Sequence, residues 1–318
     1  MKILHITNNY PTLNFPIFGI FVKEQIDSLI NLDLDIDVFF INGREKGIFE
    51  YVRAIFRINK KIRNNNYDII HCHHSFSGLA FIIASFLIRK KNKSIISFQS
   101  DPKNEFYGLL FNLIKTNFDL LIFKNKPKQK DKKIYYLPNG VNKSLFKPIS
   151  KKVACEYLSL DFNKNYILFV SSNKYRKEKR FDLFEKTVNI LQKNYPDLEF
   201  EIIKMINVNR FEVPYYFNAS SVHLLTSDFE GSPNSVKESI FCNIPVVSTN
   251  VGNVVDISDG LDSCYISNTK QPEELAELVI KAINNNKFED RIKLIKKGYS
   301  IDSVAKKIND LYKQLIKS

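Results

Sequence analysis

The stretch Leu224-Leu225-Thr226-Ser227-Asp228-Phe229-Glu230-Gly231-Ser232-Pro233-Asn234-Ser235-Val236-Lys237-Glu238-Ser239-Ile240-Phe241-Cys242-Asn243-Ile244-Pro245-Val246-Val247-Ser248-Thr249 reads as strand, polar turn, helix, strand. Its two apolar flanks are short and rich in residues that suit a strand buried on both faces, and the segment between them carries helical spacing. Such a unit joins parallel strands through a crossover helix. Gly231 lets a backbone or ligand approach closely, and Pro233 suits the first turn of the helix that follows. Ser232, Pro233, Asn234, Ser235 and Val236 surround a helix start, where the free N–H groups of all but Pro233 favour an anion such as a diphosphate. Glu230 stands just before that helix and Glu238 about a turn and a half inside it. One carboxylate can address a sugar over the helix end while the other reaches a ribose on the flank. Spacing alone leaves a plainer reading open, a loop acid and a solvent-facing helix acid.

The same alternation extends in both directions. Strands are expected at residues 3–7, 35–41, 68–71, 94–98 and 120–123, with helices at 21–32, 48–63, 77–87 and 106–115 between them. A second series of strands follows at 166–171, 198–203, 222–226, 245–249 and 263–266, with helices at 181–193, 213–219, 233–241 and 272–285. Two doubly wound α/β halves of similar size result. Turn residues from Pro138-Asn139-Gly140-Val141 to Pro148 interrupt the alternation, so the expected domains are residues 1–150 and 151–300. In the last segment, 301–318, Val304, Ile308, Leu311, Tyr312 and Leu315 share one helical face, which needs an apolar surface to cover it; the first domain is the candidate.

At 318 residues, with 44% hydrophobic residues, the chain is too long for one small binding module and too apolar for disorder. Its net charge of +13 favours an anionic partner. The block 124–133 holds six lysines and one aspartate. It reads as a solvated loop before a strand, because no aromatic residue interleaves it for base stacking, and nucleic acid is not an expected partner. Peripheral contact with an anionic membrane suits it better. The longest apolar stretch, 79–88, is about half of what a bilayer crossing needs. The start of the chain lacks the length and cleavage site of a signal peptide, and Cys72, Cys155, Cys242 and Cys264 form no CxxC pair. Free thiols and a cytosolic location are expected.

The full phrase from Leu224 to Thr249 resembles the signature of the retaining GT-B glycosyltransferases of family 4, in which two glutamates separated by seven residues precede an apolar helix and a Pro-Val-Val strand. The resemblance continues in Asn218-Ala219-Ser220-Ser221-Val222, in Thr249-Asn250-Val251-Gly252-Asn253, in Pro138-Asn139-Gly140-Val141-Asn142 with Phe146-Lys147-Pro148, and in Asp68-Ile69-Ile70-His71-Cys72-His73. It spans nearly the whole chain. Ser232-Pro233-Asn234-Ser235-Val236-Lys237-Glu238, together with Phe169-Val170-Ser171-Ser172 and Lys179-Arg180-Phe181-Asp182, is most similar to the branch that includes the teichuronic acid biosynthesis transferases.

The resemblance implies two Rossmann-like domains facing a cleft and transfer of a sugar from a UDP- or GDP-sugar to a saccharide or lipid-linked acceptor in surface polysaccharide assembly, without a metal or other cofactor. It gives Glu230 the hydroxyls of the donor sugar, Glu238 those of the ribose, and Lys179 the diphosphate. Where the family has an arginine upstream of that lysine, this sequence has Ser172 and Asn173, with Arg176 as the candidate substitute. Gly19 matches the loop that approaches the donor phosphates. His71, His73, Gln99 and Asp101 are the candidates on the acceptor side, although relatives carry a histidine and a glycine where Gln99 and Ser100 stand. Two other readings remain at this point: a catalytically degenerate nucleotide-sugar-binding subunit, and an epimerase or phosphorylase on the same fold. No spacing among the five histidines indicates a metal site.

Overall fold

Strand β1 (Lys2–Thr7) is buried from its second residue onward, His5 and Thr7 included, as a central parallel strand covered on both faces must be. After it come α1 (Ile20–Ile30), β2 (Asp35–Phe40), α2 (Gly43–Lys46), α3 (Phe49–Arg63), β3 (Ile69–His73), α4 (Ser75–Phe86), β4 (Lys93–Ser97), α5 (Phe111–Asn117), β5 (Leu120–Phe123) and β6 (Ile134–Tyr136). The computed structural model describes residues 1–86, 88, 92–99, 111–127, 131–172, 176–285 and 289–317. The six strands run parallel in the order β2-β1-β3-β4-β5-β6. Alternate residues face opposite sides of this sheet. Leu4, Ile6, Ile70, Cys72 and Ile96 meet Ala54 and Ile58 of α3 and Phe81 of α4, while Ile3, Ile69, Ile95 and Ile122 meet Leu29 of α1 and a helix from the chain's end.

The second unit comprises α6 (Lys151–Leu158), β7 (Asn165–Ser171), α7 (Phe181–Asn194), β8 (Phe200–Ile206), α8 (Val213–Ala219), β9 (Val222–Leu225), α9 (Asn234–Phe241), β10 (Val246–Thr249), α10 (Val254–Ser258), β11 (Cys264–Ser267), α11 (Pro272–Asn284) and α12 (Asp290–Lys296). Its parallel sheet has the order β11-β10-β9-β7-β8. Ile167, Phe169, Val222 and Leu224 pack under α7 and α11, and Leu168, Leu225 and Val246 under α8 and α9. Helix α13 (Ile301–Lys317) belongs to the first unit, where Val304, Ile308, Leu311 and Tyr312 cover the face that α1 shares.

The division falls at Gly140/Val141, inside the turn-rich segment 138–148 and ten residues before 150, and again at Ser300/Ile301. Residues 141–148 are built into the second unit. The Val141 amide donates to the Tyr299 carbonyl (2.9 Å), Phe146 is fully buried, and the Arg291 guanidinium donates to the Phe146 carbonyl (2.6 Å). Helices α6, α10 and α12 and strand β6 lie outside the sequence pattern because each is too short to express a period; α6 is defined by a Ser150 cap on the Val153 amide and buries only Ala154 and Cys155. All four cysteines are free thiols, Cys72, Cys155 and Cys242 buried and Cys264 partly so. The block 124–133 is not uniformly solvated. Lys124 is buried just past β5, and the Lys133 ammonium donates to the Lys115 and Phe118 carbonyls (3.3 and 3.1 Å).

Candidate active site

In the second sheet the chain leaves β7 for β8 on one side and later fills β9 on the other, so the strand order reverses between β7 and β9. In open α/β sheets ligands bind at the carboxyl ends of the strands flanking such a reversal. Here those ends lead to two segments, residues 176–180 before α7 and 226–233 after β9, which hold Arg176, Lys179, Glu230, Gly231, Ser232 and Pro233.

The two loops are tied together. The Thr226 hydroxyl donates to the Lys179 and Arg180 carbonyls (2.9 and 3.1 Å), and the Asp228 amide donates to the Glu178 carbonyl (2.8 Å). Arg180, with a left-handed backbone (φ +49°), pairs through its guanidinium with Asp182 and Asp228. This lacing brings Lys179 against Glu230. Its ammonium donates to Glu230 Oε1 at 2.5 Å, and the Ser227 hydroxyl donates to the same oxygen at 2.8 Å. Both side chains are nearly enclosed, at 9% and 13% exposure, so the pair is oriented by the fold rather than free on the surface.

Helix α9 starts directly beyond them. No side chain caps it, Pro233 occupies its N-cap with an extended backbone, and its inner face buries Val236 and Ile240. Its remaining first-turn groups are held from behind. His223 Nε2 lies 3.1 Å from the Ser235 hydroxyl, and burial keeps that imidazole neutral with its pKa down at about 4. The buried Lys237 ammonium donates to Ser232 Oγ (3.1 Å), and the Asn253 amide donates to the Gly231 carbonyl (3.1 Å). Gly252 is indispensable to that approach, since a Cβ there would stand 2.3 Å from the Gly231 oxygen at φ +56°. Asn234 Oδ1 is buried with no hydrogen-bond partner.

Glu238 is buried rather than solvent-facing, and Arg210 accounts for it. The guanidinium donates to Glu238 Oε1 at 2.7 Å and stacks 4.5 Å over the Phe146 ring. Arg210 comes from the loop between β8 and α8, and the sequence reading missed it. Arg176 turns to Glu178, its Nε donating at 2.6 Å, so within the second unit it stands beside the lacing and not against Glu230.

In the first unit Gly19 is required by geometry. It sits at φ +67° before α1, and a Cβ would fall 2.3 Å from the Asn9 carbonyl carbon. Gln99 follows β4 closely, whereas Asp101 lies outside the described residues. His71 and His73 are both buried, on the face that α13 covers. His71 Nδ1 lies 2.6 Å from the Tyr312 hydroxyl and His71 Nε2 2.8 Å from the Ser97 hydroxyl. The structure adds His5, whose Nδ1 is 2.8 Å from His73 Nε2 and whose Nε2 is 3.2 Å from Tyr312. Among the described residues these three histidines are the one grouping with metal-ligand atoms close together, within 4.8 Å, a grouping that sequence spacing does not show. Their rings stack at 4.5–5.1 Å, with interplanar angles of 17–39°. Both ring nitrogens of His71 and both of His5 have hydrogen-bond partners among His73, Tyr312 and Ser97. The arrangement is a buried hydrogen-bonded relay from Ser97 through Tyr312 to His73.

Residues 201–301, which include β8, the two glutamates and α9, match the family model for glycosyl transferases group 1. The chain is 22% identical over 332 residues to the UDP-Gal:alpha-D-GlcNAc-diphosphoundecaprenol alpha-1,3-galactosyltransferase of Escherichia coli, covering 90% of this chain and 86% of that protein. Its fold superimposes on the sucrose-phosphate synthase of Thermosynechococcus elongatus with a TM-score of 0.79 at 13% identity, over the full length of both chains. The structure of HepE from Anabaena in complex with UDP gives a TM-score of 0.71, again at 13% identity, over 99% of this chain and 100% of that one. These likenesses place the chain in the GT-B fold. Among the described residues no helix is long and apolar enough to cross a membrane.

Proposed function

We propose that this transferase retains anomeric configuration while moving a sugar from a UDP- or GDP-sugar to a saccharide or lipid-linked acceptor in cell-surface polysaccharide assembly, working in the cytoplasm. The observation that carries the reading is the Lys179–Glu230 pair held at the start of α9, with Glu238 fixed farther along the same helix. A lysine ammonium has three protons, and Glu230 takes one. The other two can meet diphosphate oxygens lodged over the α9 amides, where helix dipole and cation act on the same developing charge. The second Glu230 oxygen then accepts from a hydroxyl of the transferred sugar, and Glu238, oriented by Arg210, accepts from the ribose hydroxyls.

In the step itself the bond between the anomeric carbon and the diphosphate oxygen breaks and the acceptor oxygen bonds to that carbon on the same face. The acceptor proton passes to the departing phosphate. No protein base is needed, which suits a chain carrying Gln99 where relatives often have histidine. The positive charge needed by the leaving group comes from Lys179 and the helix start, so transfer should persist in EDTA. The Escherichia coli relative, named for a UDP-galactose donor and a diphosphoundecaprenol acceptor, and the UDP complex of HepE support the nucleotide-sugar and lipid-linked parts of this reading.

A thermal-shift panel of UDP, GDP, ADP and their common sugar conjugates tests it. A ligand at about 100 times its dissociation constant adds about 2.7 kcal/mol to stability. One nucleotide series should stabilise the wild type, and Glu238→Ala should lose that response. Indifference of the wild type to every nucleotide, with and without membrane extract, would remove the donor assignment.

A further inference from the structure

We propose that the outward face of α3 and α4 seats the first unit on an anionic lipid bilayer. This deepens the lipid-linked reading of the acceptor, yet its observations are those of the surface alone. Helix α3 turns Ala54, Ile58 and Ile62 inward and leaves Phe49, Val52 and Phe56 at 74%, 53% and 65% exposure. Helix α4 buries Ala80, Phe81 and Ala84 and exposes Phe76, Ile83 and Phe86, the last at 74%. The two helices lie side by side and parallel. The Tyr51 ring stands 5.6 Å from that of Phe76, and the Asn59 amide donates to the Ala84 carbonyl (3.0 Å), a constant offset of 25 residues. Their exposed stripes therefore run alongside each other as one apolar patch. Large apolar side chains scattered singly on a surface are ordinary, whereas a patch of six on adjoining helices marks an interaction site.

Charge selects the occupant. Arg53 and Lys60 project on the exposed side of α3 among its apolar residues. The one acid of α3, Glu50, is buried against Arg57, and α4 contains no charged residue. The patch is thus apolar with a cationic fringe and no exposed carboxylate from either helix, on a chain of net charge +13. Interfacial helices insert an apolar face among lipid chains while lysine and arginine reach the headgroups. A second copy across a two-fold axis would set Arg53 and Lys60 against the same cations.

Co-sedimentation of the full chain with vesicles of phosphatidylcholine, with and without phosphatidylglycerol, tests the proposal without donor or acceptor present. The wild type should bind the anionic vesicles and lose affinity with added salt. Phe49→Ser/Phe56→Ser/Phe86→Ser should lower partitioning at least about tenfold, and Arg53→Gln or Lys60→Gln about fivefold each on anionic vesicles only. All five positions are exposed, so melting temperatures should stay at the wild-type value, and transfer to a water-soluble acceptor analogue should be unchanged. No binding of the wild type to anionic vesicles would overturn the proposal, as would variants that bind like the wild type or that instead abolish a concentration-dependent dimer. Vesicle binding without any transfer would count against the glycosyltransferase mechanism alone.

Discussion

Lys179 contacts Glu230, and in the proposed mechanism the same ammonium group compensates charge on the departing diphosphate. Lys179→Ala should lower kcat by about 10²–10³-fold, the range for removal of one preorganised electrostatic group, with a smaller change in KM. Lys179→Arg should recover part of that loss. Equal kcat values for wild type and alanine variant would separate this residue from the chemistry. Arg210 acts through Glu238, which it holds at 2.7 Å, and both side chains are nearly buried. Arg210→Ala strands a carboxylate, so the second unit should lose about 3–5 kcal/mol, read as a lower urea midpoint, and donor affinity should fall with it. Arg210→Ala/Glu238→Gln, which removes the stranded charge, should regain much of the stability but not the affinity. Glu230 and Glu238 are legible in the sequence because they lie in one continuous phrase, and Lys179 because the segment 179–182 resembles a family motif of its own. Arg210 is not, since it stands in a loop with neither period nor motif, and only the closure of the sheet brings it to Glu238.

At the scale of elements, α13 is fixed to the first sheet by its apolar face and by one hydroxyl. Tyr312→Phe keeps the packing and removes the group that His71 and His5 both contact, which should cost about 1–3 kcal/mol. The relay also sets an acid limit. Burial holds His5 at about 3, and burial first, then neighbouring imidazoles and Lys124, hold His71 and His73 well below their usual range. The unfolded chain protonates these rings below about pH 6.5 while the folded unit does not. Their contribution is therefore complete above that pH and is lost as pH falls, by about 1.4 kcal/mol per pH unit for each histidine. Melting temperature should drop between pH 6.5 and 5, and His5→Asn should shallow the slope; a flat profile would contradict the buried, neutral relay. Sequence spacing could place His71 and His73 on one strand face but not His5, which joins them through the parallel register that sets it opposite His71. The central strands and the long amphipathic helices α7 and α13 are readable from their periods. Elements such as α6 and β6 have too few residues, with too little of each buried, to write a pattern.

The whole molecule joins two doubly wound units, and in the second the reversal of strand order gathers a cation, a helix start and two carboxylates at the ends of β7 and β9. Charge on the chain as a whole was a poorer guide to detail. The lysine-rich block read as a solvated loop begins with a lysine that burial brings down to about 7, because the end of β5 carries it inward beside the histidine relay. The central claim is that the Lys179–Glu230 pair at the start of α9 drives sugar transfer. Its most direct measurement is the rate of nucleotide release from the stabilising nucleotide sugar, with and without a lipid-linked acceptor extract, together with the anomeric configuration of the product. Release by the wild type should depend on acceptor and preserve configuration, with Lys179→Ala and Glu230→Gln each slower by about 10²-fold or more. Release that ignores the acceptor, inverts configuration, or proceeds at the normal rate in Glu230→Gln would contradict the account.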